Sequence, residues 1–297
     1  MSNREIKVMK TTITDEFAAD FLNGEFAKIY EHMSAELQKE LAFKEFFEVS
    51  EAFNEGVEKY RLETALYLNP HLEQYIWIDL SREKGISLVV NENDVIVSLR
   101  LAPLTAYPES DMNITKNEYR MPITDEWFVF WGGTNQLVNY HYVIDSQRYA
   151  YDLVRKQNET THYKDGKQNE DYYAFGQKVV APADGQIVKV VNNIYDNPIG
   201  ETNAEQPAGN YVVIDHGQSE YSLLAHFKHE TIQVQAGEKV RAGQVIGLCG
   251  NSGNSSEAHI HFQVMDSPDL FNSNSLRIKF KGVVEPIKGD YIVPVTD

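Results

Sequence analysis

The spacing of apolar residues changes from helical to strand-like near Tyr75. Before it, residues 17–54 place Phe, Leu and Ile three and four positions apart, which is typical of helices packed on a core. Within this stretch Ser34 predicts an N-cap. After Tyr75, apolar and polar residues alternate, and the polar run 91–94 predicts a turn between two antiparallel strands. Helices followed by an antiparallel sheet predict an α+β domain over residues 1–105.

The second half of the chain is patterned for β-structure. Residues 106–124 contain prolines and mixed charge without a clear period, and they predict a linker. Over residues 125–297, short apolar runs separated by Gly, Asn and Asp predict a mainly antiparallel β domain, a sandwich or barrel. Within it, residues 140–144 and 149–153 are predicted to be neighbouring strands joined by a turn at 145–148.

Composition and charge narrow the function by exclusion. The 297 residues carry 27 Lys+Arg against 44 Asp+Glu, a formal net charge of −17, which argues against nucleic acid or an anionic membrane as partner. No run is long and apolar enough for a membrane span. The N-terminus lacks the apolar segment of a secretory signal, so both a cytoplasmic protein and a trimmed, cell-wall-associated form stay open. The single cysteine, Cys249, excludes an intrachain disulfide and a cysteine-based zinc site.

Two histidines follow a stretch rich in Gly, Ser and Asn. Residues 247–262 lead into the sequence His259-Ile-His261. Alternate side chains of a strand share a face, so both imidazoles are expected on one side of the sheet. Neutral imidazole is the commonest metal ligand. The spacing fits equally well two hydrogen-bonded histidines at a strand edge, and other segments must decide between them.

Four segments occur in an order that points to one family. They are APADGQIV (181–188), GNYVVIDHG (209–217), YSLLAHF (221–227) and AGEKVRAGQVIGLCGNSGNSSEAHIHF (236–262). Together they resemble the lysostaphin/LytM-type zinc metallopeptidases, which cleave peptide bonds in peptidoglycan. The resemblance implies a LytM-like β-sandwich or barrel-sandwich hybrid, Zn²⁺ as cofactor, and hydrolysis of stem or cross-bridge peptides by a zinc-activated water.

The resemblance also implies roles for three histidines. His261 corresponds to a zinc ligand of the family. His226 and His259 correspond to the two histidines that flank the zinc-bound water. Such a pair can accept the proton of the water and stabilise the tetrahedral intermediate.

The upstream ligands depart from the family's pattern, a His followed four residues later by an Asp. His141 and Asp145 have this separation. Asp152 lies in the better context, but the position four residues before it holds Arg148, which cannot bind zinc. We favour His141 with Asp152 as ligands and Asp145 as a turn residue. A site that has lost its metal stays an alternative.

Three further interpretations concern the rest of the chain. The segment 21–48 loosely resembles cone-shaped domains related to nuclear transport factor two, which implies an accessory recognition or assembly module of unknown partner. The polar insertions 155–177 and 192–210 are expected to form the walls of a substrate cleft. Alternative functions are an inactive LytM-like binding or activator module, and a carrier or sugar-phosphotransferase domain of similar fold.

Overall fold

Four short helices and a four-stranded antiparallel sheet form the first of two units, which ends at Ala106. The computed structural model describes residues 12–282 and 284–295. The first 11 residues, where the sequence lacks a signal pattern, lie outside the described residues. The helices are α1 (Thr12–Leu22), α2 (Phe26–Glu31), α3 (Ala35–Glu40) and α4 (Phe43–Asn54). The strands are β1 (Tyr60–Asn69), β2 (Leu72–Asp79), β3 (Lys84–Asn91) and β4 (Ile96–Pro103), hydrogen-bonded in that order.

The apolar side of the helices packs on this sheet. Phe17 of α1 stacks on Trp77 of β2 with ring centroids 5.0 Å apart. The predicted N-cap is confirmed, since the Ser34 hydroxyl accepts a hydrogen bond from the backbone N–H of Leu37 at 3.2 Å. Strand β1 was not predicted, because its mixture of Leu, Ala and Glu has no clean alternation and fits a helix equally well.

The second unit begins at Tyr107 and is mainly β. Its elements are α5 (Pro108–Asp111), β5 (Trp127–Trp131), β6 (Tyr151–Val154), β7 (Lys178–Val180), β8 (Gly185–Val191), β9 (Asn210–Asp215), β10 (Tyr221–Phe227), β11 (Lys239–Val240), β12 (Val245–Leu248), β13 (Ile260–Met265), β14 (Ser275–Leu276) and β15 (Tyr291–Ile292). Among the described residues, the principal sheet has nine strands, with the order β11-β8-β9-β10-β13-β6-β5-β15 and β14 paired to β13. Strands β7 and β12 form a separate pair.

Helices in the first unit and antiparallel strands in the second confirm the predicted fold class. One face of the large sheet packs on the main core, to which β13 contributes Ile260, Phe262 and Val264. Because side chains alternate along a strand, His261 and Gln263 lie on the opposite face. No helix among the described residues is long and apolar enough to cross a membrane.

Two local predictions differ from the structure. The segment 140–144 is not a strand: Tyr140–Val143 form a 3-10 turn, and the Asn139 side chain accepts a hydrogen bond from the backbone N–H of His141 at 3.1 Å. The predicted linker 106–124 belongs almost entirely to the second unit. Tyr119 is fully buried there, and its hydroxyl donates to Glu220 at 3.0 Å.

Candidate metal and catalytic site

Pairing of β6 with β13 places Asp152 directly opposite His261. The 3-10 turn that follows Asn139 brings the buried side chain of His141 to the same place. His141 Nε2 lies 3.0 Å from Asp152 Oδ2, and His261 Nδ1 lies 2.9 Å from Asp152 Oδ1. One ligand atom from each of the three residues lies within 4.8 Å of the others, and all three side chains are buried.

Two glutamines orient the two imidazoles of this cluster. Gln147 Oε1 accepts from His141 Nδ1 at 2.9 Å, and Gln263 Oε1 accepts from His261 Nε2 at 2.8 Å. Gln263 is itself held in place because its Nε2 donates to the Ser146 carbonyl at 2.8 Å. With the outer ring nitrogens used as donors, the inner nitrogens face the Asp152 carboxylate, and they can serve as metal ligands once they carry no proton.

The donor set fits a zinc ion. Two imidazole nitrogens and one carboxylate oxygen are the ligand types that catalytic zinc takes, with a further position left for water or substrate. Each imidazole also has the outer hydrogen-bond acceptor that is usual for zinc-binding histidines. His141, Asp152 and His261 are therefore able to hold Zn²⁺.

His226 and His259 lie beside this cluster. Their ring centroids are 4.6 Å apart, and His226 lies 6.0 Å from the ring of His261. His226 Nδ1 donates to the Ser252 carbonyl at 2.7 Å, and His259 Nδ1 donates to the Glu257 carbonyl at 2.9 Å. Each ring therefore directs its Nδ1–H at a backbone carbonyl, and His259 Nε2 lies 3.9 Å from Asp152 Oδ1.

The backbone at His226 is held in an uncommon conformation. Its φ of 70° lies in the left-handed region, which costs a non-glycine residue about 1–3 kcal/mol. A register shift in the pairing of β9 with β10 falls between Ala225 and Phe227 and moves His226 out of the regular alternation. Its N–H donates to Ala208 at 3.2 Å, and its carbonyl accepts from Gly250 at 3.0 Å. These bonds hold the backbone at His226, and the bond from Nδ1 to the Ser252 carbonyl holds its ring.

Burial and charge determine the protonation states. Burial alone would raise the pKa of Asp152, but His141 and His261 beside it hold this pKa well below the ordinary value. Burial lowers the pKa of His226 well below its ordinary value, and His259 and His261 lower it further. Asp152 is therefore a carboxylate and His226 is neutral near pH 7.

The structure places Asp145 and Arg148 outside this cluster. The Asp145 side chain is largely exposed in the turn after His141 and pairs with Arg148. The Arg148 guanidinium lies 3.4 Å from the centre of the Tyr107 ring. Of the two aspartates considered, Asp152 is the one brought to His141 and His261.

Sequence reasoning missed the residues that orient the histidines. Gln263 could have been found, because it stands two positions after His261 and therefore shares its strand face. Gln147, Ser252 and Glu257 lie in turns or loops, where no periodic pattern indicates the direction of a side chain.

Comparison with known proteins finds relatives for part of the chain. Residues 170–274 match Peptidase family M23; this range includes His226, His259 and His261 but not His141 or Asp152. Over 90 residues the chain is 36% identical to peptidoglycan DD-endopeptidase ShyA of Vibrio cholerae serotype O1, covering 30% of this chain and 18% of that protein. Over 89 residues it is 33% identical to murein hydrolase activator NlpD of Escherichia coli, covering 30% of this chain and 20% of that protein.

The match spans about a fifth of the length of these two curated relatives. Among solved structures, the catalytic domain of lysostaphin from Staphylococcus simulans aligns with a TM-score of 0.30 and 18% identity. That alignment covers 51% of this chain and 88% of the lysostaphin chain.

Proposed function

We propose that the chain is a zinc-dependent endopeptidase, since residues 170–274 of its second unit match Peptidase family M23. The proposed substrates are peptide bonds in the stem or cross-bridge peptides of peptidoglycan, in keeping with the relative named a peptidoglycan DD-endopeptidase. The observation that carries the proposal is the meeting of three buried ligand atoms within 4.8 Å of one another, with two further histidines beside them. The proposed ligands of the zinc are His141, Asp152 and His261.

Zinc held by His141, Asp152 and His261 would supply a nucleophilic water near neutral pH and would polarise the scissile carbonyl. The chain's own residues then handle protons and charge. His226, which is neutral, and His259 beside it can accept the proton that the attacking water loses. A protonated imidazole in the same place donates to the oxygen of the tetrahedral intermediate or to the leaving amine. The carbonyls of Ser252 and Glu257 keep a proton on Nδ1 of both rings, which leaves Nε2 as the nitrogen for proton transfer.

The test compares matched histidine variants. We expect His226→Ala and His259→Ala to retain zinc and to lose at least about 100-fold in the rate of peptide hydrolysis. His71→Ala is the control, because His71 is an exposed histidine paired with Glu92 in the first unit. Hydrolysis of synthetic stem and cross-bridge peptides is followed by chromatography. Wild-type rates in His226→Ala would contradict the proposed roles.

A relative named as a murein hydrolase activator favours one second candidate, an M23 module that acts on another hydrolase. In that case the zinc-loaded wild type would leave peptides intact and increase the activity of a separate peptidoglycan hydrolase. His226→Ala would then have no effect on that increase. The same set of variants therefore separates the two functions.

We also propose that the first unit is an accessory domain. No group of three His, Cys, Asp or Glu side chains suited to a metal occurs among its described residues. Its role as a recognition or assembly module is tested by comparing binding of the whole chain and of residues 107–297 to isolated peptidoglycan. Equal binding would argue against a recognition role for the first unit.

A further inference from the structure

Three asparagines from three separate loops meet behind the catalytic histidines. Asn251 lies in the loop before β13, Asn169 in the insertion 155–177, and Asn197 in the insertion 192–210. Asn251 Nδ2 donates to Asn169 Oδ1 at 3.0 Å and to the Asn197 carbonyl at 3.2 Å. Asn169 Nδ2 donates to the same carbonyl at 2.8 Å. Both insertions are thereby joined to the loop that leads to His259.

Asn197 also fixes the path of that loop. Its backbone N–H donates to the Asn251 carbonyl at 2.9 Å. Its side-chain Nδ2 donates to the carbonyls of Gly253 at 2.7 Å and of Ser255 at 2.9 Å. Asn197 therefore holds the loop at three points between residues 251 and 255.

Ser255 connects this cluster to the imidazole of His259. Its Oγ lies 2.7 Å from Asn251 Oδ1, 2.9 Å from the Glu257 carbonyl and 3.1 Å from His259 Nδ1. The Glu257 carbonyl already accepts the proton on His259 Nδ1. The single hydroxyl proton therefore goes to Asn251 in the shorter contact, and an Oγ lone pair faces the N–H of His259.

The hydrogen bonds of Asn251 and Ser255 are shielded from water. Asn251 is fully buried and Ser255 is 1% exposed. A buried polar group that loses its partner has no water to replace it, so such networks hold their members in one arrangement.

We propose that Asn251 and Ser255 are positioning residues for His259 and that the two insertions serve to hold them in place. This inference rests on the proposed peptidase function. The relay fixes the ring of His259 with Nε2 3.9 Å from Asp152 Oδ1. Neither Asn251 nor Ser255 touches the reacting atoms, so their loss should affect the chemical step more than the binding of substrate.

The test measures kcat and KM separately. Ser255→Ala and Asn251→Ala are expected to lower kcat by about 10- to 100-fold and to change KM less than about twofold. Ser256→Ala and Asn254→Ala are matched controls, because these exposed neighbours lie in the same loop. Zinc content and the unfolding midpoint are measured for every variant. Ser255→Ala removes only one oxygen and carries the test if Asn251→Ala unfolds.

The double variant distinguishes a relay from two separate structural roles. If Asn251 and Ser255 act through one chain of contacts, the double variant loses no more kcat than the more damaging of the two single variants. An active wild type with unchanged kcat in Ser255→Ala, or with losses that multiply in the double variant, would overturn this inference alone. A zinc-loaded wild type that cleaves no peptide would overturn the proposed function together with it.

Discussion

Replacement of Gln263 by Ala should weaken metal binding although Gln263 does not contact the metal ligand atoms directly. The amide accepts from His261 Nε2 at 2.8 Å and donates to the Ser146 carbonyl at 2.8 Å, and the side chain is fully buried. Alanine leaves the Nε2–H of His261 without an acceptor in a place closed to water. The imidazole then loses both its fixed orientation and part of its basicity.

The expected magnitude follows from this burial. Loss of such an outer partner lowers metal affinity by about 10- to 100-fold, which is about 1.4–2.7 kcal/mol. Gln147 makes the corresponding bond to His141 at 2.9 Å, but its side chain is only partly buried. Water can therefore replace its amide oxygen, and we expect Gln147→Ala to lose less than about fivefold.

Competition with a zinc-binding dye measures both affinities at one pH. A larger loss for Gln263→Ala than for Gln147→Ala would support the assignment of His261 as a ligand through Nδ1. Wild-type affinity in Gln263→Ala would refute it, because an imidazole that binds zinc should respond to the loss of its buried partner.

Two other predictions concern stability. Burial, with Lys156 as a smaller cause, lowers the pKa of Lys288 to about 7. In the unfolded chain Lys288 regains its ordinary pKa of about 10.5 and binds its proton more tightly. Burial of Lys288 therefore lowers the free energy of unfolding most at and below pH 7 and least above about pH 10.5. Lys288→Met also removes the contact between Lys288 Nζ and the Trp131 ring at 3.7 Å. With this loss included, we expect the free energy of unfolding to rise by about 2 kcal/mol at pH 7 and by much less at pH 10. A gain that does not depend on pH in urea titrations would contradict this. Gly253→Ala should destabilise by more than about 2 kcal/mol, because φ is +84° and a Cβ would lie 2.4 Å from the Gly209 nitrogen. Gly200→Ala, with φ +81° and open space, is the matched control, and an equal loss in both variants would exclude the steric cause.

The parts of the site that lie on regular strands could be predicted from the sequence. His261 stands among apolar residues of a strand, so alternation alone places it on the face opposite Ile260 and Phe262. Asp152 has the same pattern in β6, between Tyr151 and Leu153. Their direct opposition is a matter of strand register, which the local pattern does not contain.

The conformation of the segment that carries His141 could not be predicted, because tertiary contacts override the local preference. The residues around it favour a strand, yet the buried Asn139 side chain starts a 3-10 turn and donates to the carbonyls of Gly133 and Ala150, both at 3.1 Å. The predicted linker was misplaced for a related reason. Tyr119 is buried by contact with Glu220, a hundred residues further along the chain.

The central claim is that His141, Asp152 and His261 hold one zinc ion used for peptide hydrolysis. Metal analysis of the purified protein beside His261→Ala, with peptide hydrolysis measured on the same samples, tests it most directly. We expect about one zinc per wild-type chain with hydrolysis of a peptidoglycan peptide, and neither in the variant. Wild-type protein that cleaves the peptide without zinc, or His261→Ala protein that keeps both its zinc and its activity, would contradict the account.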